Sequence, residues 1–354
     1  MASISTPEVD AIIRLGSTWG TAVAVDTVTA GQSIHLSQLS ITDGFEEFQP
    51  RDIGFDNFIT KITRMKRSVG VNITCDLAYH GAWLFILACI MGGDSVSGST
   101  PEYTHTMDLT SNNNGKFTTM AFKVEDDYAL EMPSIKWTSF TIQSDANGVG
   151  TFSAQGIADR IVDNASVVNT ITKINAASYP TYDAAVLGGT NHYFRTNTAS
   201  GAGLTSGEDK NILSYSISIS RPFNPRFTLR GANSAYTLEP RQLGPTIGTA
   251  SFKMSEINDA TIDGYNEFLS QTKKKIELFC DGTLISAVNA SMKIQIPAAE
   301  SKMPQGYDIP NNSSLMQPTY TYNLLKAAAA PTGMSGVTNY ARFVFINERA
   351  SAYA

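Results

Sequence analysis

Charge is scarce in this chain of 354 residues, with Asp, Glu, Lys and Arg together making up 16%. Basic residues do not outweigh acidic ones, and the net charge is −6. That balance excludes a general nucleic-acid binder, because neutralising phosphates requires a basic surface. It leaves room for a protein that DNA passes without sticking. Cysteine is rare: Cys75, Cys89 and Cys280 lie in strand-like or apolar helical stretches with no paired spacing. They read as buried free thiols of a reducing compartment rather than as disulfides or metal ligands. Long apolar runs are absent too. The most apolar, Ala82 to Met91, falls far short of the ~20 residues that span a membrane. No basic-then-apolar leader opens the sequence, so synthesis in the cytoplasm and no membrane association are expected.

Motifs that carry chemistry are equally missing. The four histidines, His35, His80, His105 and His192, are scattered without zinc-like spacing. His105 sits in an alternating stretch with no acid–base partner in view, which points to a hydrogen-bonded or sheet-surface role. Gly201-Ala202-Gly203 with Gly207 falls in a loop rather than between a strand and a helix, so it is not a nucleotide fingerprint. No phosphate loop or nucleophile elbow appears. Asp126-Asp127 and Glu46-Glu47 are neighbours whose side chains on a strand point to opposite faces, which suits solvated charge better than catalysis. Lys273-Lys274-Lys275 follows a helix end, where cations favour the dipole. The expectation is a non-enzyme with no cofactor and no metal.

What the chain has is Ser, Thr and Asn in quantity and many short alternating stretches. This composition suits β-sheets whose outer faces meet other protein. Strands are predicted at Ile34–Ser37 onward, Val69–Tyr79, Tyr103–Leu109, Phe117–Val124, Ile135–Gln143 and Gly150–Ile157. A second series covers Ile212–Ser220, Ile247–Met254, Lys275–Cys280, Ala290–Ile296 and Thr319–Leu325. Asp145-Ala146-Asn147-Gly148 and Asp281-Gly282 suit hairpin turns. The fold class is therefore mainly β, a β-rich α+β chain.

The two series share a register. Leu39 to Phe45 resembles Ile217 to Phe223, 178 residues further on. Ser68-Val69-Gly70 resembles Thr246-Ile247-Gly248 at the same offset. The helical spacing of Leu84, Leu87, Ile90 and Met91 recurs at Ile262, Tyr265, Phe268 and Leu269. The first helix is bounded by Gly81 and by Gly92-Gly93, a C-cap signal. The second is less apolar and is expected to be more exposed. Three matches in step predict an internal duplication.

Each copy also carries an excursion of about two dozen residues, a length at which loops are usually functional. The first, Glu46 to Arg67, includes Phe48, Arg51, Phe55, Phe58 and Arg64. The second, Asn224 to Pro245, includes Arg226, Phe227, Arg230, Tyr236 and Arg241. Aromatic and Arg side chains are enriched in interface cores. These ten are the candidate inter-subunit contacts, against the simpler reading of a hairpin folded back on its own domain.

The ordered set resembles a known family over about residues 30–330. It comprises a strand, a long loop, a Val/Ile-Gly strand, a short apolar helix ending in Gly and the Tyr103-Thr104-His105-Thr106 strand, then a shorter second copy. This is similar to the tail tube proteins of phages with long non-contractile tails. The resemblance implies two β-sandwich units, each with one flanking helix and a long inter-subunit loop. It divides the chain into an N-terminal arm (1–30), a first tube domain (31–165), a linker (166–210), a second tube domain (211–330) and a C-terminal arm (331–354). It implies rings of six tube domains, hence three chains, stacked into a tube that conducts DNA without binding it. The other implied partners are a tape measure protein and tail-end proteins, and the implied location is the virion tail. The alternatives are another ring-forming phage tail component, a terminator or baseplate protein, and the tube of a bacterial injection device, which shares this fold. A carbohydrate-binding sandwich is disfavoured, because Trp19, Trp83 and Trp137 form no common platform.

Overall fold

The computed structural model describes residues 9–25, 32–48, 63–125, 127–146, 148–179, 192–227, 236–255, 264–302 and 317–354. The first half holds β1 (Val9–Leu15), β2 (Ser33–Leu36), β3 (Gln38–Phe48), β4 (Thr63–Asp76), α1 (Trp83–Met91), β5 (Ser95–Ser99), β6 (Glu102–Asp108), β7 (Thr118–Glu125), β8 (Tyr128–Asp145) and β9 (Thr151–Ala158). A short helix, α2 (Ile171–Ala176), follows. The second half holds β10 (His192–Thr198), β11 (Asp209–Lys210), β12 (Ile212–Ser220), β13 (Phe223–Arg226), β14 (Leu238–Gln242), β15 (Ile247–Met254), α3 (Gly264–Ser270), β16 (Lys273–Leu284), β17 (Asn289–Ser301), β18 (Thr319–Leu324) and β19 (Arg342–Asn347).

Antiparallel ladders in the first half run β2–β1–β7–β8–β9–β4–β3. Those in the second run β11–β10–β16–β17–β18–β15–β12. The order of roles is the same in both. One detail departs from a uniform offset. Ile41 faces Val71, whereas Ile219, 178 residues after Ile41, faces Gly248, only 177 after Val71. A one-residue step flips a strand's faces. Gly70 accordingly looks outward, while Gly248 lies buried against Leu324.

The halves join into two layers. The first layer is β3–β4–β9–β8–β12–β15–β18, in which β8 pairs with β12 from Ser139↔Ser220 to Asp145↔Ser214. The second layer includes β10–β16–β17–β19–β6–β5. Between them lies one shared apolar core. Phe140 of β8 meets Phe343 of β19 at 5.7 Å, and Phe194 of β10 meets Phe252 of β15 at 4.3 Å.

The segments read from sequence as terminal arms with some strand content supply β1 and β19. β1 buries Ala11, Ile12 and Ile13 completely, and β19 buries Phe343 and Phe345 completely. The stretch read as a linker supplies α2 and β10. Each of these strands also pairs with a partner distant in the chain, β7 for β1, β16 for β10 and β6 for β19, and sequence spacing does not announce those pairings.

Helix α1 is apolar all round and wholly buried, as such helices must be. Helix α3 leaves Leu269 60% exposed. The end of α1 is fixed by Gly92, at φ +100, whose N–H donates to Ala88 O at 2.8 Å. A Cβ there would collide with Thr110 Oγ1, whereas Gly93 has open space around it. Gly92→Ala is expected to lower unfolding stability by about 2 kcal/mol, from left-handed strain plus the collision. Gly93→Ala is expected to change it by less than about 0.5 kcal/mol. Urea denaturation of both variants reads the contrast.

Candidate functional site

The outer surface of the first layer is its most distinctive feature. Alternation puts Phe140, Ile142, Phe152, Ala154, Ile217, Ile219, Ala250 and Phe252 into the core. Their neighbours therefore face outward. One row crosses seven strands: Gln38, Thr74, Ser153, Thr141, Ser218, Thr249 and Asn323. The next reads Ser40, Asn72, Gln155, Ser139, Ser220 and Ile247. Neither row holds a charge across these strands; beyond Asn323 the first row continues to Glu300 of β17. Thr141 Oγ1 donates to Ser218 Oγ at 3.2 Å, linking the halves, and Ser251 and Thr321 hydroxyls lie 3.2 Å apart. Asp76, Asp145 and Lys253 stand toward one end of this face. The two uncharged rows offer hydrogen bonds to water and no electrostatic grip on a polyanion.

Behind the β8–β12 seam lie buried cations from both halves. Arg221, 0% exposed, donates to Thr110 O at 2.6 Å and to Met91 O, the last turn of α1, at 3.2 Å. Burial lowers its pKa to about 10, so it remains charged at neutral pH. The helix C-terminus supplies compensating negative potential. Lys136 donates to Asn113 O and, at 2.7 Å, to Glu239 Oε1. Its Nζ lies 5.5 Å from the Phe223 ring centre. Second-half residues thus satisfy first-half carbonyls and a first-half ammonium. Neither Arg221 nor Lys136 stands out in sequence; a charge inside an otherwise apolar or hydroxyl alternation is the only available signal.

The two excursions leave from the same end of the first layer. Phe48 ends β3 opposite Thr63, and Arg64 pairs with Glu47, so the first excursion begins as a lengthened hairpin. Arg51, Phe55 and Phe58 lie outside the described residues, as does Arg230. In the second excursion, β13 and β14 form a two-stranded ribbon with Arg226 opposite Leu238 and Arg241 opposite Asn224. Arg226 and Arg241 are exposed. The far end of the ribbon rests on the first half of its own chain. Lys66 Nζ is 5.4 Å from the Phe227 ring, and the Arg160 guanidinium 5.3 Å from the Tyr236 ring. Trp19 Nε1 donates to Thr237 O at 2.7 Å. The structure thus brings Phe227 and Tyr236 together with the first excursion's returning strand. Around the ribbon, Leu243 is 69% and Ile247 61% exposed.

The lysine run differs from its sequence reading. Lys274 pairs with Glu267 of α3 at 2.5 Å, and Lys275 donates to Gly201 O and Thr332 O at 2.9 and 3.0 Å. Two of the three lysines are buried structural donors. All three cysteines are free and buried, and burial pushes Cys89 and Cys280 up to about 12, which keeps both thiols neutral and unreactive. Among the described residues no cluster of His, Cys, Asp and Glu could hold a metal ion. Nor is any helix there long and apolar enough to cross a membrane.

Beside the Arg160 that meets Tyr236, Asp159 accepts from Ser134 N at 3.0 Å and from Arg160 at 3.0 Å. Burial outweighs these partners and raises its pKa to about 6. Unfolded, it would titrate at roughly 4. The folded chain therefore binds the proton more tightly, and stability from this group is full below pH ~4 and lost as pH rises through ~6. Asp159→Asn is expected to flatten that decline by about 2–3 kcal/mol between pH 4 and 7, read by urea denaturation across that range.

A family model described as phage tail tube protein matches residues 10–338. No curated protein matches the chain.

Proposed function

The chain belongs to the phage tail tube protein family, and from that premise we propose that it is the repeating subunit of a long non-contractile tail, stacked in rings around a channel for DNA. It is a structural protein of the virion tail, and its family is not enzymatic. The ring, its count and the channel are our reading.

One observation carries the ring: the β8–β12 seam. It joins the first half's last strand in the first layer to the second half's first strand. The same order of ladders on either side supports a duplication of one unit. β3, the counterpart of β12, carries no strand on its outer edge among the described residues. Gln38 to Thr42 there include no Lys and no Pro, the usual guards of a free edge. A further copy adding to β3, as β8 adds to β12, extends the first layer around a closed ring. Six units from three chains close it with threefold symmetry. The face that carries the two uncharged hydroxyl and amide rows then lines the channel. A polyanion slides along it with its hydration intact, since no lysine row captures phosphates.

Both excursions, the exposed Leu243 and the exposed Ile247 lie at one end of the layer, which makes that end the contact to the next ring. The arm residues Phe48, Arg51, Phe55, Phe58, Arg64, Arg226, Phe227, Arg230, Tyr236 and Arg241 are proposed to serve there. The tape measure protein and tail-end proteins are the remaining proposed partners.

Negative-stain electron microscopy of the concentrated chain is expected to show long tubes with a central channel. Native mass spectrometry of isolated rings is expected to give three chains of 38.2 kDa each. Six chains per ring would refute the threefold count, single rings that never stack would indicate a terminator, and monomers under every condition would refute assembly. Deleting Phe48–Met65 is expected to leave a folded chain that no longer forms long tubes; long tubes from that variant would remove the arm from the interface.

A further inference from the structure

Two sets of ladders connect the halves of the chain, and they lie in different layers. In the first layer the connection is β8–β12. In the second, β19 pairs with β17 of the second half on one side and with β6 of the first half on the other. Phe140 and Phe343 span the core between them at 5.7 Å. A single ladder acts as a hinge, because the twist between neighbouring strands ranges over roughly −10 to −35°. A second connection across a filled core, about 10 Å away, removes that freedom. We propose that the C-terminal segment 342–353 is a strap that fixes the angle between the halves before assembly and thereby sets how many chains close a ring. This rests on the ring reading above.

The strap is fastened along its whole length to the first half. Arg342 holds Asp108 through both carboxylate oxygens, at 2.7 and 2.9 Å. Asn347 Nδ2 donates to Tyr79 O at 3.0 Å. His105, fully buried, faces Asp94 Oδ2 at 2.8 Å and Arg349 O at 2.9 Å. Tyr353 N donates to the same Asp94 oxygen at 2.9 Å. Phe345 and Tyr353 roof α1, with ring centres 5.5 Å from Trp83 and 5.2 Å from Phe85.

The second half has no such roof among the described residues. Its helix α3 runs almost directly into β16, without the β5–β6 hairpin on which the strap lies, and Leu269 stays 60% exposed. Junctions around the ring therefore alternate. Those inside a chain are doubly tied and rigid, and those between chains depend on the β3 edge.

Peptide-resolved hydrogen exchange on the wild-type chain, before and after polymerisation, tests the preset angle. Amides of 342–347 are expected to show equal protection in both states, a ratio near one. Protection that appears only on polymerisation overturns the proposal. Val344→Pro removes an amide from the middle of the strap without deleting a core side chain, with Val344→Thr as control. Val344→Pro, its strap amides exchanging freely, is expected to give rings of variable chain count and tubes of mixed diameter, while Val344→Thr matches wild type. Uniform wild-type diameters from the opened strap overturn the proposal. If Val344→Pro does not fold, the wild-type exchange result decides. Microscopy of the same wild-type sample reports separately whether tubes form, so failure of the strap and failure of the ring are distinct results.

Discussion

Everything else in this molecule depends on the β8–β12 ladder. β8 is 18 residues long and serves two purposes. Its first part pairs with β7, and its second part lies between β9 and β12. Without β12, the edge of β8 from Ser139 to Asp145 would be open, with unpaired backbone groups flanking the buried Phe140 and Ile142. Each unmade buried hydrogen bond costs about 1–3 kcal/mol, more than a made one contributes. The halves therefore do not behave as two beads on a string. They share a sheet and a core, and the second half completes the first.

The charges buried behind the seam follow from the same constraint. Arg221 directly follows β12 and donates to the carbonyls of Met91 and Thr110. A slip of the ladder by one residue would turn this guanidinium to the other face and leave both carbonyls without it. Lys136 and Glu239 form a similar pair from opposite halves. Buried ion pairs are poor sources of net stability, because desolvation offsets their attraction. Their effect here is on register: only one alignment of the halves gives each of these groups a partner.

Alternation by two made much of this legible in sequence. Ile-Leu-Ser-Tyr-Ser-Ile-Ser-Ile-Ser reads directly as β12, with Tyr215, Ile217 and Ile219 buried and the serines outward. The apolar run of α1 and its Gly92 stop were equally plain. Sequence spacing does not show that β8 has an irregularity between Trp137 and Ser139, which shifts its alternation midway. The strand content of the terminal segments is legible, but the pairing of β1 with β7 and of β19 with β6 is not, because these partners lie about a hundred residues or more away. The candidate contact residues were legible as aromatic and Arg clusters. That Phe227 and Tyr236 touch Lys66 and Arg160 of the same chain was not, since it depends on both hairpins leaving one end of one sheet.

The neutral face gives the low charge content a physical purpose on the lumenal reading. Two unit charges 4 Å apart attract by about 1 kcal/mol even in bulk water, and by more near a low-dielectric wall. An inward row of lysines with no carboxylates beside it, repeated around every ring and along the tube, would sum to strong retention of DNA and strong dependence on salt; Lys253 instead shares its end of the face with Asp76 and Asp145. Repeated carboxylates would instead raise a barrier to entry. Hydroxyl and amide rows avoid both, because they exchange hydrogen bonds with water at nearly constant free energy as a phosphate moves past. The seven-strand row from Gln38 to Asn323 runs unbroken across the seam. The chain's cations are not absent but withdrawn: Arg221, Lys136, Lys274 and Lys275 are buried against carbonyls and carboxylates on other surfaces. A sequence poor in charge and a fold that buries several of its cations serve the same end.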